Sequence, residues 1–519
     1  MKKFTSKYSD YIHGALHGFD RIILKGYIGE FYYGNNFYYF LNKEGIQLKD
    51  YKEFVQKVTD LIKSHVEKII TETAVHTEYL SSSKTSKEDI ALRIAKQSGI
   101  NEGLICVLSA VESCTALSVK YNKSTGKLEK KSGYRKCLHY YFYYMDREFG
   151  LMHIRFQTWF PFGIQIYING REYLKRQLRK AGLKYTDYDN SITWVEDIEK
   201  AQSISDKFQG KKWHNVFDQF AERVNGFLPR IKEIFNGMAY KWYVEQCEYA
   251  TDIMFKDRDN LEKFYPYFVE YASLCQVGEN IFTFFGRKVH GLYQGEAVSD
   301  RKNYFGQGFR VKFTLDKNSL KIYDKSNNLR VETTINNASA FKIRNPNPKS
   351  KKKWLNMGKA ISNLYRYAEV SKACNMRYLD SLSNVDNNDN IDREIEKLCH
   401  SQDVKLSGKS EKPRRYSGFN LLSDFTTTVF NAVLSGEYVI RGFRNKDLRF
   451  VLIKLGLFSK EELLHRKKIS GKITRLIAKL RAHNIITKLS KTCRYRVTKT
   501  GEKILSRILM FKKFQMKTC

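Results

Sequence analysis

Apolar residues recur at helical spacing over Tyr51–Thr73, which predicts an amphipathic helix. A continuous apolar run at residues 103–109 (Gly-Leu-Ile-Cys-Val-Leu-Ser) predicts a buried strand, and residues 137–144 and 151–159 predict two more around a turn at 146–150. Residues 170–181 read as a basic helix, and residues 213–235 and 355–381 as helical. Residues 318–336 predict a hairpin turning at Asn327-Asn328, since asparagine tolerates positive φ. One face of it carries Lys321, Tyr323, Lys325, Arg330, Glu332 and Thr334, and the other Leu320, Ile322, Leu329 and Val331, with Asp324 at its end. The fold class implied is α+β and multidomain, a mixed N-terminal region with antiparallel hairpins followed by a winged helix. Domains are expected at 1–200 and 201–382, with a polar linker at 383–416 and a C-terminal domain at 417–511.

The C-terminal pattern is helix (424–436), helix (445–455), a short segment in which Ser459 caps with Glu462, a third helix (468–483), and then two strands, 485–489 and 494–501, joined by a turn at 490–492. On the third helix Ile469, Ile473, Leu476, Ile477 and Leu480 form one face, with Lys468, Lys472, Arg475 and Lys479 as a stripe beside it. Gly471, Thr474 and Ala478 lie opposite the core, where small residues allow close approach to a groove while the cations hold phosphates. Arg481 extends the cationic set, and Arg494, Arg496 and Lys499 lie on the expected wing.

Charge strengthens that picture. The 519 residues carry a formal net charge of +36, and the segment from Ser401 to the end holds 28 Lys/Arg against 8 Asp/Glu. Such a surface repels itself unless a polyanion shares it, so nucleic acid, DNA or structured RNA, is the expected partner. A membrane is not expected, because no apolar run is long enough to span one and there is no lipidation motif. The start, Met-Lys-Lys-Phe-Thr-Ser, lacks the apolar stretch of a signal peptide. Nine cysteines, an odd number without Cys-x-x-Cys spacing, argue against zinc ribbons and a disulfide framework and for reduced thiols in a cytoplasm.

The chain resembles a family of bacterial proteins identified as MarR-like winged-helix regulators. The resemblance runs through Gly18-Phe-Asp-Arg21, residues 103–112, Arg155-Phe-Gln-Thr-Trp-Phe-Pro-Phe162, Asn169-Gly-Arg-Glu172, Ala250-Thr-Asp252, Tyr323-Asp-Lys325, residues 329–334 and residues 442–449. It implies a winged-helix reader over the last hundred or so residues and leaves the role of the larger part open. The strand Tyr323-Asp324-Lys325 followed by Arg330-x-Glu332 also resembles segments of rolling-circle replication initiators, which nick DNA with a tyrosine nucleophile and a bound metal. That resemblance implies Tyr323 as nucleophile, Glu332 as a Mg2+ ligand, and Lys325 or Arg330 stabilising charge.

Two further chemistries remain open at this level. Asp20, Glu112 and Asp252 are candidate metal ligands for a carboxylate nuclease, which needs such groups to converge. His139 and His153 flank a hairpin and are expected to pack or hydrogen-bond rather than to bind metal. The aromatic runs at 139–144 and 155–162 would stack unpaired bases if exposed, and would be core if buried. The expected function is nucleic-acid binding through a C-terminal winged helix, with metal-dependent nicking or cleavage as part of a mobile element or RNA-associated system. The alternative is a non-catalytic regulator or RNA-binding structural protein.

Overall fold

The computed structural model describes the chain except residues 33–34, 83–84, 235–239, 275, 277–278, 289–292, 294, 296, 304–308, 348–352, 386–388, 405–412, 436–437, 439–441, 459–464, 491 and 516–519. The class is α+β, as the pattern implied. The chain forms two compact units, and neither is a continuous segment. The first is Leu16–Ala250 with Thr334–Ser371, and the second is Met1–Ala15, Thr251–Thr333 and Lys372–Cys519. These units do not follow the boundaries expected at 200 and 382.

The first unit is built on a sheet that its first strand, β1 (Ile12–Tyr27), enters at Leu16. The strands that follow are β2 (His76–Tyr79), β3 (Gly103–Asn122), β4 (Lys127–Asp146), β5 (Gly150–Gln157) and β6 (Ile164–Asn169), with a separate hairpin of β7 (Tyr185–Tyr188) and β8 (Ser191–Val195). With the first ten residues of β9 (Lys241–Phe255), their order is β9-β1-β6-β5-β4-β3-β2. Strands β3 through β6 pair antiparallel, β6 pairs β1 in the same sense, and β2 runs parallel to β3. The apolar run at 103–109 is only the start of a 20-residue strand. The helix Tyr51–Thr73 has the predicted bounds and buries Val55, Val58, Ile62 and Val66. The helical stretch expected at 213–235 is two helices, Trp213–Val224 and Leu228–Ile234. Buried Asn225 makes the break, its amide donating to Tyr240 and its carbonyl accepting from Phe227 N. The stretch expected at 355–381 opens instead as a strand, Trp354–Asn356, paired with Lys342–Arg344, and the helix is Leu364–Leu382.

The basic helix Gly170–Lys180 starts where predicted because Asn169 accepts hydrogen bonds from the Arg171 and Glu172 amides. Gly170 sits against β1 so tightly that an added Cβ would lie 2.5 Å from the Phe19 carbonyl oxygen. Gly170→Ala must push backbone rather than a side chain, and we expect a loss of about 1–3 kcal/mol, read as a lowered denaturant midpoint. An unchanged midpoint would show that the helix and strand can separate freely here.

In the second unit β10 (Ala297–Asn303), β11 (Phe309–Leu315), β12 (Asn318–Lys325) and β13 (Asn328–Ile335) follow one another, with the last five residues of β9 beside β13. The C-terminal block belongs to this unit. It contains the helices Asp424–Val433, Asn445–Lys454 and Arg466–Ala482, the short strands Ile486–Lys488 and Tyr495–Val497, and a last helix, Lys499–Gln515. Phe443 adds a bridge to Tyr495. The expected strand at 494–501 stops at Val497, because the Thr498 hydroxyl accepts from Gly501 N and starts the last helix. That helix packs on Arg258–Leu274, and Glu502 accepts from Asn280.

The segment expected as a linker, 383–416, is folded where described. It holds a helix, Asp389–Cys399, and a hairpin of Gln402–Val404 with Arg414–Tyr416. Leu398 joins Phe419, Phe430, Leu448, Ile473 and Leu480 in one core, so apolar burial ties this segment to the block that follows. The Ser459–Glu462 cap and the Gly436 stop lie outside the described residues.

Candidate nucleic-acid interface and polar centres

The helix Arg466–Ala482 divides as its sequence pattern requires. Ile469, Ile473, Leu476, Ile477 and Leu480 are buried, while Lys468, Lys472, Arg475 and Arg481 are exposed. Lys468, Lys472 and Arg475 follow one another at spacings of four and three, so they share one stripe. Gly471 is exposed beside them, and exposed Thr474 accepts a hydrogen bond from the Asn445 amide, which also binds Ser470 O. Asn445 thus fixes this helix to the preceding one, a role the sequence pattern did not signal.

Lys479 departs from the expected stripe. Its amine donates to Gly418 O at 2.8 Å and lies 4.2 Å from the centre of the Phe419 ring, while burial pulls its pKa down. It holds the helix to the incoming chain. Arg494 and Arg496 are half-buried in the hairpin, and Lys499 is exposed on the first turn of the last helix rather than on a strand. Ala478 is half-buried, so the small-residue face narrows to Gly471 and Thr474.

The β12–β13 hairpin turns at Ser326-Asn327, one residue earlier than predicted, with Ser326 taking the positive φ. Asn327 is tied to Phe255 through its amide and its carbonyl, which fixes the turn there. The shift leaves both faces intact. Leu320, Ile322, Leu329 and Val331 are fully buried. The polar face is buried too, apart from half-buried Lys321, and its charges are paired. Arg330 forks onto both oxygens of Asp252 at 2.6 and 2.9 Å, and both side chains are 0% exposed. Glu332 accepts from Tyr323 at 2.7 Å and from Lys321 at 2.6 Å. Burial opposes its ionisation, yet the Lys321 charge, the two hydrogen bonds and Arg330 hold its carboxyl below the usual range. Lys325 is buried. Asp324, raised by burial against the pull of Arg258, pairs with that guanidinium at 2.9 Å. Asp252, a candidate metal ligand, is a strand residue whose oxygens both face a guanidinium.

Asp20 is buried on β1 and accepts from Asn190. Glu112 is half-buried on β3 and receives the Tyr141 hydroxyl at 2.6 Å, Arg155 at 2.8 Å and Lys87 at 3.2 Å. Burial works against its charge, but the Tyr141 hydrogen bond and the two cations keep it below the ordinary carboxylate range. The described residues bring together one group of three potential metal ligands, and it contains none of these carboxylates. It is Cys114, Cys137 and His139, all buried, with ligand atoms within 4.8 Å of one another.

The aromatic runs are mostly core. Tyr141, Phe142, Tyr143, Phe156, Trp159, Phe160 and Phe162 are buried, so they do not offer faces to bases. No family model, curated protein or solved structure matches this chain.

Proposed function

We propose that this protein binds nucleic acid through its C-terminal block, a winged helix in which Arg466–Ala482 approaches a groove and the Ile486–Lys488 and Tyr495–Val497 hairpin flanks it. The observation that carries this reading is the stripe of Lys468, Lys472 and Arg475, exposed on a helix whose opposite side is core. Three cations on successive turns, an exposed glycine beside them and a net charge of +36 favour a polyanion over a protein partner. Phosphate contacts of this kind position a protein without reading sequence, and Thr474 and Gly471 are the residues closest to where base edges would lie. The hairpin gives nicking no support, since the Tyr323 hydroxyl is buried and hydrogen-bonded to Glu332. Fluorescence anisotropy of the full chain with duplex DNA, single-stranded DNA and hairpin RNA, each across a salt series, tests the reading and names the preferred form.

A further inference from the structure

The polar wall around Cys114, Cys137 and His139 follows from strand register. On β4, Cys137 and His139 are two residues apart and share a face. Cys137 lies opposite Glu112 of β3, which puts Cys114, two residues on, diagonally beside it on the same face. His139 lies opposite Gln157 of β5, and Tyr141 opposite Arg155. Arg155 in turn lies opposite Gln165 of β6, so one face of the first unit collects two thiols, an imidazole, a guanidinium, two amides, the Glu112 carboxylate and the Tyr141 phenol.

The two sulfurs are 3.1 Å apart, and His139 Nδ1 is 3.9 Å from the Cys137 sulfur. A tetrahedral zinc ion with Zn–S of about 2.3 Å and Zn–N of about 2.0 Å holds such atoms roughly 3.5–3.8 Å apart. The observed separations fall on either side of that range, so small side-chain rotations suffice to seat an ion. His139 Nδ1 also lies 3.1 Å from the Cys137 carbonyl, a contact the ion would replace. Beside the group is a cavity of about 230 Å3, walled by Cys114 and His139 themselves and by Lys25, Arg155, Gln157 and Gln165. Two thiolates would balance the charge of a divalent ion.

We propose that Cys114, Cys137 and His139 bind one Zn2+ and leave its fourth position open to this cavity. Closed structural zinc sites use four protein ligands, whereas three protein ligands plus an accessible position is the arrangement that holds an exchangeable water or anion. Glu112 is not the fourth ligand, because both its oxygens are already engaged by Arg155, Lys87 and Tyr141. The site is independent of the nucleic-acid interface proposed above.

The test uses the full chain, purified with reductant, stripped with a chelator and given Zn2+ or Co2+ alone. Mass-spectrometric metal analysis is expected to find one zinc per chain. The cobalt form should show a thiolate-to-metal absorption band and tetrahedral ligand-field bands that shift when azide is added. Cys137→Ser and His139→Ala should each lose the zinc, while Cys493→Ser, at an exposed thiol, should keep it. The cobalt spectrum of the unaltered protein needs no variant and so stands even if a substitution prevents folding. No metal uptake, full uptake by Cys137→Ser, or a Cys114–Cys137 disulfide in a parallel sample isolated without reductant would each overturn the proposal. A cobalt spectrum indifferent to azide would overturn the open position.

Discussion

Arg330→Ala is expected to cost the second unit about 3–5 kcal/mol, a larger loss than Gly170→Ala or Lys479→Ala should bring, because it strands a buried carboxylate. Asp252 and Arg330 are both fully buried and joined by two hydrogen bonds, so removing the guanidinium leaves Asp252 without its counter-charge in a medium that solvates it poorly. Asp252→Ala should cost a similar amount for the reverse reason. The pair itself need not be worth so much. Asp252→Val combined with Arg330→Met removes both charges while keeping much of the volume, and should lose less than either single alanine change. Urea unfolding followed by circular dichroism measures this, and a double variant as weak as the sum of the singles would show that the two residues act separately. The adjacent Glu332 adds a pH dependence. Its folded pKa lies below the unfolded value near 4.3, so its contribution is present at neutral pH and is lost as pH falls below about 4.

The second large effect concerns binding. Replacing Lys468, Lys472 and Arg475 together by alanine removes three exposed cations from one helix stripe. Each phosphate contact contributes about 0.9 to the slope of log affinity against log salt for a duplex, so the slope should become shallower by nearly 3. Affinity near physiological salt should fall by one to two orders of magnitude, about 1.4–2.8 kcal/mol. Two comparisons separate this from bulk charge and from folding. Removing Lys52, Lys57 and Lys68, exposed on Tyr51–Thr73, takes away the same charge and should leave the slope almost unchanged. Lys479→Ala should lower stability through its lost contacts with Gly418 and Phe419 while leaving the slope alone.

How much of this was legible in the chain depended on whether local pattern or long-range pairing decided it. The third helix, its buried and exposed sides and the hairpin after it were readable because helical spacing is a local property, and so was the polar and apolar split of β12 and β13. The turn position was not, since it depends on Asn327 reaching Phe255, some seventy residues away. Burial of the polar face was not legible either, because only the fold brings Asp252 to Arg330. The 383–416 segment looked like a linker by composition, and its few apolar residues, Leu398 above all, outweighed that by joining a distant core. Cys137 and His139 did carry a local signal, two potential ligands at strand period. Cys114 could be added only by the β3–β4 register.

The salt dependence of binding is the most direct test of the nucleic-acid reading. Anisotropy titrations of the full chain with duplex DNA and with hairpin RNA, repeated for the Lys468/Lys472/Arg475 variant, should give a steep slope for the unaltered protein on at least one substrate. The variant should give a shallower slope and a weaker affinity on that same substrate. No measurable binding by the unaltered protein at low salt, or identical slopes for the two proteins, would contradict the assignment of this helix as the nucleic-acid interface.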